Sequence, residues 1–123
     1  MSFPQWVRIA ADTVAAIQGK LPPEIREIAC AVPVHYEAGP DASVLAEGFE
    51  PDILGLFTGS AHGTEFSEDN LAPPQILLYI NNLRDYAGSQ AARFRSEVRL
   101  TYLHELGHYL GWNEDEVAAR GLD

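Results

Sequence analysis

HELGHYLGWNEDE, running from His104 to Glu116, is the stretch on which the reading of this chain turns. If it is helical through Leu110, His104 and His108 lie one turn apart on a single face, with Glu105 beside them. Two imidazoles so placed can reach one ion. Zn²⁺ takes neutral imidazole nitrogens at about 2.0–2.1 Å and keeps a position for water, which a nearby carboxylate can deprotonate. The spacing therefore points to a metal-dependent hydrolase, with His104 and His108 as ligands and Glu105 as general base. Zinc is the expected ion, although the same donors suit other divalent metals.

Little chain remains after His108, so a third ligand is expected nearby or upstream. Gly111 permits a left-handed residue and a sharp turn after the helix, which can swing Glu114 back toward the ion. Glu114 is the first choice. Asp115 and Glu116 are rivals, and each also reads as a first-turn acid favourable at the N-terminus of a last short helix over 113–121.

Working upstream, the motif sits at the end of a helix predicted to start near Ser89. Phe94, Val98, Tyr102, Leu103, Leu106, Tyr109 and Leu110 give it a broad apolar surface to pack on a sheet. Arg84, Arg93, Arg95 and Arg99 read as a solvated face. Residues 4–19 place Trp6, Ile9, Ala10, Thr13, Val14 and Ile17 at helical spacing, between Pro4 and Gly19. After a break at Leu21-Pro22-Pro23, a short segment carries Ile25 and Ile28. A strand is expected from Ile28 to Tyr36, with Pro33 forcing an edge position or a bulge and His35 in a structural role. Residues 37–51 read as a loop, and Ile53–Thr58 and Gln75–Asn81 as strands. The long connection over 59–74 carries His62 and Glu65, which could overhang the metal.

The 123 residues, 46% hydrophobic, suit one domain spanning 1–123. A net charge of −10 argues against nucleic acid as a partner, since phosphate binding needs clustered Lys and Arg. From Glu27 to Leu83 every Asp, Glu, Lys or Arg is an acid, read first as a solubility device. Cys30, the only cysteine, excludes an internal disulfide, fits a reducing compartment and is expected in the core. The start of the chain lacks a basic region followed by an apolar run, and no stretch is apolar over the roughly 18 residues of a membrane span. The expectation is a soluble cytoplasmic protein without membrane contact; oligomeric state is not legible.

LPPEI at 21–25, ILGLFTG at 53–59, PPQILLYINNL at 73–83 and HELGHYLGWNEDE at 104–116 together resemble the short bacterial zincin-like metallopeptidases, also called minimal metalloproteases. The resemblance implies an α+β zincin-like fold: a small sheet of three or four strands packed on an N-terminal helix and a long helix carrying His104, Glu105 and His108, with a short C-terminal helix. It also implies Zn²⁺ as cofactor and a peptide or protein substrate. The family's pattern usually has Asp where this chain has Glu114, one methylene shorter. A Met-turn has no candidate, because the only methionine is Met1. The runner-up is a non-catalytic metal- or partner-binding protein on the same scaffold.

Overall fold

A computed structural model describes residues 1–60, 62 and 72–119, with the side chains of 114, 117 and 118 outside that description. Its elements are α1 (Phe3–Lys20), α2 (Pro23–Cys30), β1 (Val34–Glu37), α3 (Ala42–Ala46), β2 (Gly55–Thr58), β3 (Gln75–Tyr79), α4 (Ile80–Tyr86), α5 (Ala91–Leu110) and α6 (Glu114–Ala119). The strands form one sheet in the order β1-β3-β2, parallel between β1 and β3 and antiparallel between β2 and β3. This is a small α+β fold with a three-stranded sheet, as the resemblance implied.

α1 starts with a reciprocal capping box, in which the Gln5 N–H donates to the Ser2 hydroxyl and the Ser2 N–H to the Gln5 side chain. Its buried residues, Trp6, Ala10 and Val14, recur every four positions, as one helical face requires. That face meets α5, where the Trp6 and Phe94 rings stack at 4.7 Å with a 59° tilt. α5 is enclosed on more than one side: Phe94, Val98, Tyr102 and Leu106 are almost fully buried, and Thr101 and Glu105 are buried on the side facing β2. A helix covered over so much of its circumference is the fold's axle. Among the described residues, no helix is long and apolar enough to cross a membrane.

Several expectations are corrected. The strand predicted from Ile28 begins only at Val34, because 23–30 is helical. Pro23 occupies an opening position, where its missing N–H costs nothing, and Ala29 is buried. Pro33 stands just before edge strand β1, its carbonyl accepting the Ile76 N–H at 2.9 Å. Cys30 is exposed, not in the core, since it falls on the outer face of α2's last turn. The third strand stops at Tyr79; Ile80 and Leu83 then turn into the core as one face of α4. The supposed loop 37–51 contains α3, capped by Asp41, whose carboxylate accepts the Val44 N–H at 3.0 Å and the Ser43 hydroxyl at 2.7 Å. These bonds hold the Asp41 carboxyl below its usual range.

Tyr79, 1% exposed at the end of β3, buries a hydroxyl that finds no hydrogen-bond partner among the described residues. Such a group carries its desolvation cost uncompensated, about 1–3 kcal/mol. Tyr79→Phe, which keeps the ring, is expected to leave stability to urea unchanged or raise it by about 1 kcal/mol. A loss of stability would mean that the hydroxyl is satisfied in solution.

Candidate metal centre

The last two turns of α5 bring His104, Glu105 and His108 together. The imidazoles face each other with ring centroids 4.5 Å apart and planes inclined by 62°. Both side chains are about half exposed, 45% for His104 and 52% for His108, whereas that of Glu105 is 9% exposed. Glu105 Oε1 lies 3.4 Å from His108 Nδ1 and Oε2 lies 4.0 Å from His104 Nε2. One donor atom from each residue falls within 4.8 Å of the others. The rings thus converge at the surface instead of diverging or packing into a dry interior, and two imidazoles beside a carboxylate are a donor set suited to zinc.

Glu105 is held from outside its own helix. Its Oε1 accepts the backbone N–H of Phe57 at 3.0 Å, across 48 positions of sequence. Phe57 belongs to β2, which has β3 on one side and, among the described residues, no strand on the other. The N–H that reaches Glu105 is therefore one that the pairing with β3 leaves over, and the carboxylate satisfies it. The approach of β2 to α5 depends on Gly55: a Cβ there would meet Thr101 Cγ2 at 2.5 Å and the Leu77 carbonyl at 3.1 Å. A shallow groove lined by Leu54, Gly55, Leu100, Thr101, His104 and Glu105 runs between strand and helix.

The family model of zincin-like metallopeptidases matches residues 29–122. The chain belongs to that family. A search of curated proteins found no match. The matched region takes in the sheet, α5 and the His-Glu-His cluster, so α1 (Phe3–Lys20) is this zincin-like protein's contribution outside the match.

Beyond the cluster, the zincin-like chain turns as Gly111 foretold. Gly111 is left-handed, with φ 75°; its N–H bonds to the His108 carbonyl at 3.1 Å and the Trp112 N–H to the Gly107 carbonyl at 2.8 Å. This double closure is a Schellman motif. Asn113 then caps α6: its side chain accepts the Glu116 N–H at 2.8 Å, while the Asn113 N–H donates to Glu116 Oε1 at 3.4 Å. Glu116 is thus occupied in a capping box, Asp115 is exposed, and neither joins the cluster among the described residues. Glu114 opens α6, but its side chain lies outside the described residues.

Of the other residues considered for the site, Glu65 lies outside the described residues and His35 is exposed on β1. Tyr79 and Tyr102 are interior; burial raises the pKa of Tyr102, whose hydroxyl accepts from Gln18 at 3.0 Å. His62 stays near the motif helix: its N–H donates to the Tyr109 carbonyl at 2.7 Å and its ring packs edge-on against Tyr109. Sequence reading missed Gly55 and the Phe57 backbone. The one available signal was a glycine inside a predicted strand, which marks close approach of a neighbour.

Because Gly55 lets β2 lie against α5, Gly55→Ala is expected to cost about 1–3 kcal/mol of stability through overpacking. It should also move β2 off Glu105. Hydrogen exchange at the Phe57 amide, monitored beside urea unfolding, should accelerate beyond what the global loss explains.

Proposed function

We propose that this zincin-like protein hydrolyses peptide bonds with a zinc ion held by His104, His108 and Glu114. The observation that carries the reading is the convergence of two half-exposed imidazoles on a buried carboxylate, which is itself held by an edge strand. Bound zinc would supply Lewis acidity and bring the pKa of its water toward about 7. Glu105 takes the proton from the attacking water at its carboxylate and later delivers it to the leaving amine. The Phe57 N–H keeps that carboxylate oriented between transfers. An extended peptide adds along the edge of β2 that β3 does not pair, where main-chain bonds align it beside the cluster and the groove receives its side chains. Glu114 is favoured as third ligand because Gly111 and Asn113 turn the chain just before it, and Glu116 is engaged elsewhere. The lone cysteine supports a cytoplasmic setting.

The test is metal analysis of protein purified without chelator, coupled to cleavage of a peptide library. The expected result is about one zinc per chain, with cleavage lost on chelation and restored by zinc. Zinc binding without cleavage of any peptide would favour a non-catalytic metal-binding role, and failure to bind added zinc would overturn the hydrolytic reading.

A further inference from the structure

A second concavity lies between α1 and α5, on a different face of α5 from His104. It has a volume of about 370 Å³ and is lined by Ala16, Ile17, Leu21 and Leu103, with Lys20, Arg95 and Arg99 around it and Thr13 and Ser96 in its wall. That size falls at the lower end of small-molecule sites, roughly 300–1,000 Å³. Arg95, Arg99 and Leu103 succeed each other at four-residue steps, so two guanidinium groups and an apolar side chain share one stripe of α5.

The charge is anomalous for this molecule. The chain has 18 acids against 8 Lys and Arg, yet among the described residues none of the three cations around this cavity is in an ion pair. Lys20 ends α1, where a cation is commonly drawn to the last carbonyls. Here Arg26 has taken that task, its guanidinium donating to the carbonyls of Gln18, Gly19 and Leu21 at 2.9–3.1 Å. Lys20 is left to the cavity. The hydroxyls in the wall are committed: Thr13 donates to the Ile9 carbonyl at 2.7 Å and Ser96 to the Ala92 carbonyl at 3.3 Å. The donors remaining for a ligand are thus the three cations, over an apolar floor.

We propose that this cavity binds a small amphipathic anion, with a carboxylate or phosphate head between Lys20, Arg95 and Arg99 and an apolar body against Ile17, Leu21 and Leu103. Planar guanidinium groups take either head through paired N–H donors. The arginines stay exposed, as the solvated face read from the sequence requires, and α1 adds Lys20 and an apolar flank beside them. Such binding does not depend on the hydrolytic reading.

Titration of the full chain with octanoate, octyl phosphate, octanol and inorganic phosphate, followed by amide chemical shifts, tests this. Octanoate and octyl phosphate should give saturable shifts at Ile17 and Leu21 on α1 and at Arg99 and Leu103 on α5. Octanol and phosphate alone should bind at least about tenfold more weakly, and the double variant Arg95→Gln/Arg99→Gln should lose about tenfold or more in octanoate affinity with its thermal midpoint unchanged. The proposal fails if octanol shifts the same amides equally, which would leave only an apolar crevice, or if phosphate alone matches octyl phosphate, which would leave only a charge patch. It also fails if octanoate shifts are confined to residues around His104 and His108, or if the double variant binds as the parent does.

Discussion

Glu105→Gln is expected to bind zinc as the parent does and to hydrolyse peptides about 10²–10⁴-fold more slowly, the contribution of a positioned general base. Gln is nearly isosteric and keeps a carbonyl oxygen, so it can still accept the Phe57 N–H that Glu105 Oε1 accepts at 3.0 Å. The fold around β2 should therefore survive, and the loss should fall on proton transfer. His104 and His108 are untouched, so metal content should remain at the parental level. Steady-state cleavage of a peptide from the library, measured beside metal analysis on the same preparation, separates these quantities. Undiminished cleavage would remove Glu105 from the role of base. Equal loss of zinc and activity would mean that its carboxylate serves chiefly to hold the ion.

Phe94→Ala should produce the largest loss of stability. Phe94 is fully buried, meets Trp6 across the α1–α5 contact at 4.7 Å, and belongs to the core with Val98 and Tyr102. Removing a buried aromatic ring leaves a cavity as well as lost transfer energy, together about 3–5 kcal/mol. Set against the roughly 5–15 kcal/mol that holds a domain folded, this is at least about a fifth of the total. Urea unfolding should show a much lower midpoint with an unchanged slope. Phe94→Leu, which refills most of the space, should recover a large part of the loss. If α1 were only loosely attached, Phe94→Ala would cost less than about 1 kcal/mol and the two helices would not form one core.

The role of α5 was legible because helical periodicity is local. Phe94, Val98, Tyr102 and Leu106 repeat at the turn, and Gly111 ends the helix as its conformation allows. The same logic places Trp6, Ala10 and Val14 on one side of α1. α2 and α4 were not legible, for an opposite reason: each is about two turns long, too short for periodicity to be distinguished from a strand's apolar run. The sequence ILLYIN reads as uninterrupted strand. Ile80 and Leu83 become one helical face only when the chain is seen leaving the sheet at Tyr79.

By itself, the sequence determined that His104 and His108 stand one turn apart beside Glu105, since residue spacing and helical pitch suffice for that. It also determined the turn at Gly111. Only the tertiary structure decided that the Glu105 carboxylate would be held by an N–H of β2, and that Arg95 and Arg99 would share one concavity with Lys20 of α1. The physical reason is common to both. Periodicity reports which side of an element a residue occupies, whereas its partner is set by another element folding against that side, at a distance along the chain that no local pattern encodes.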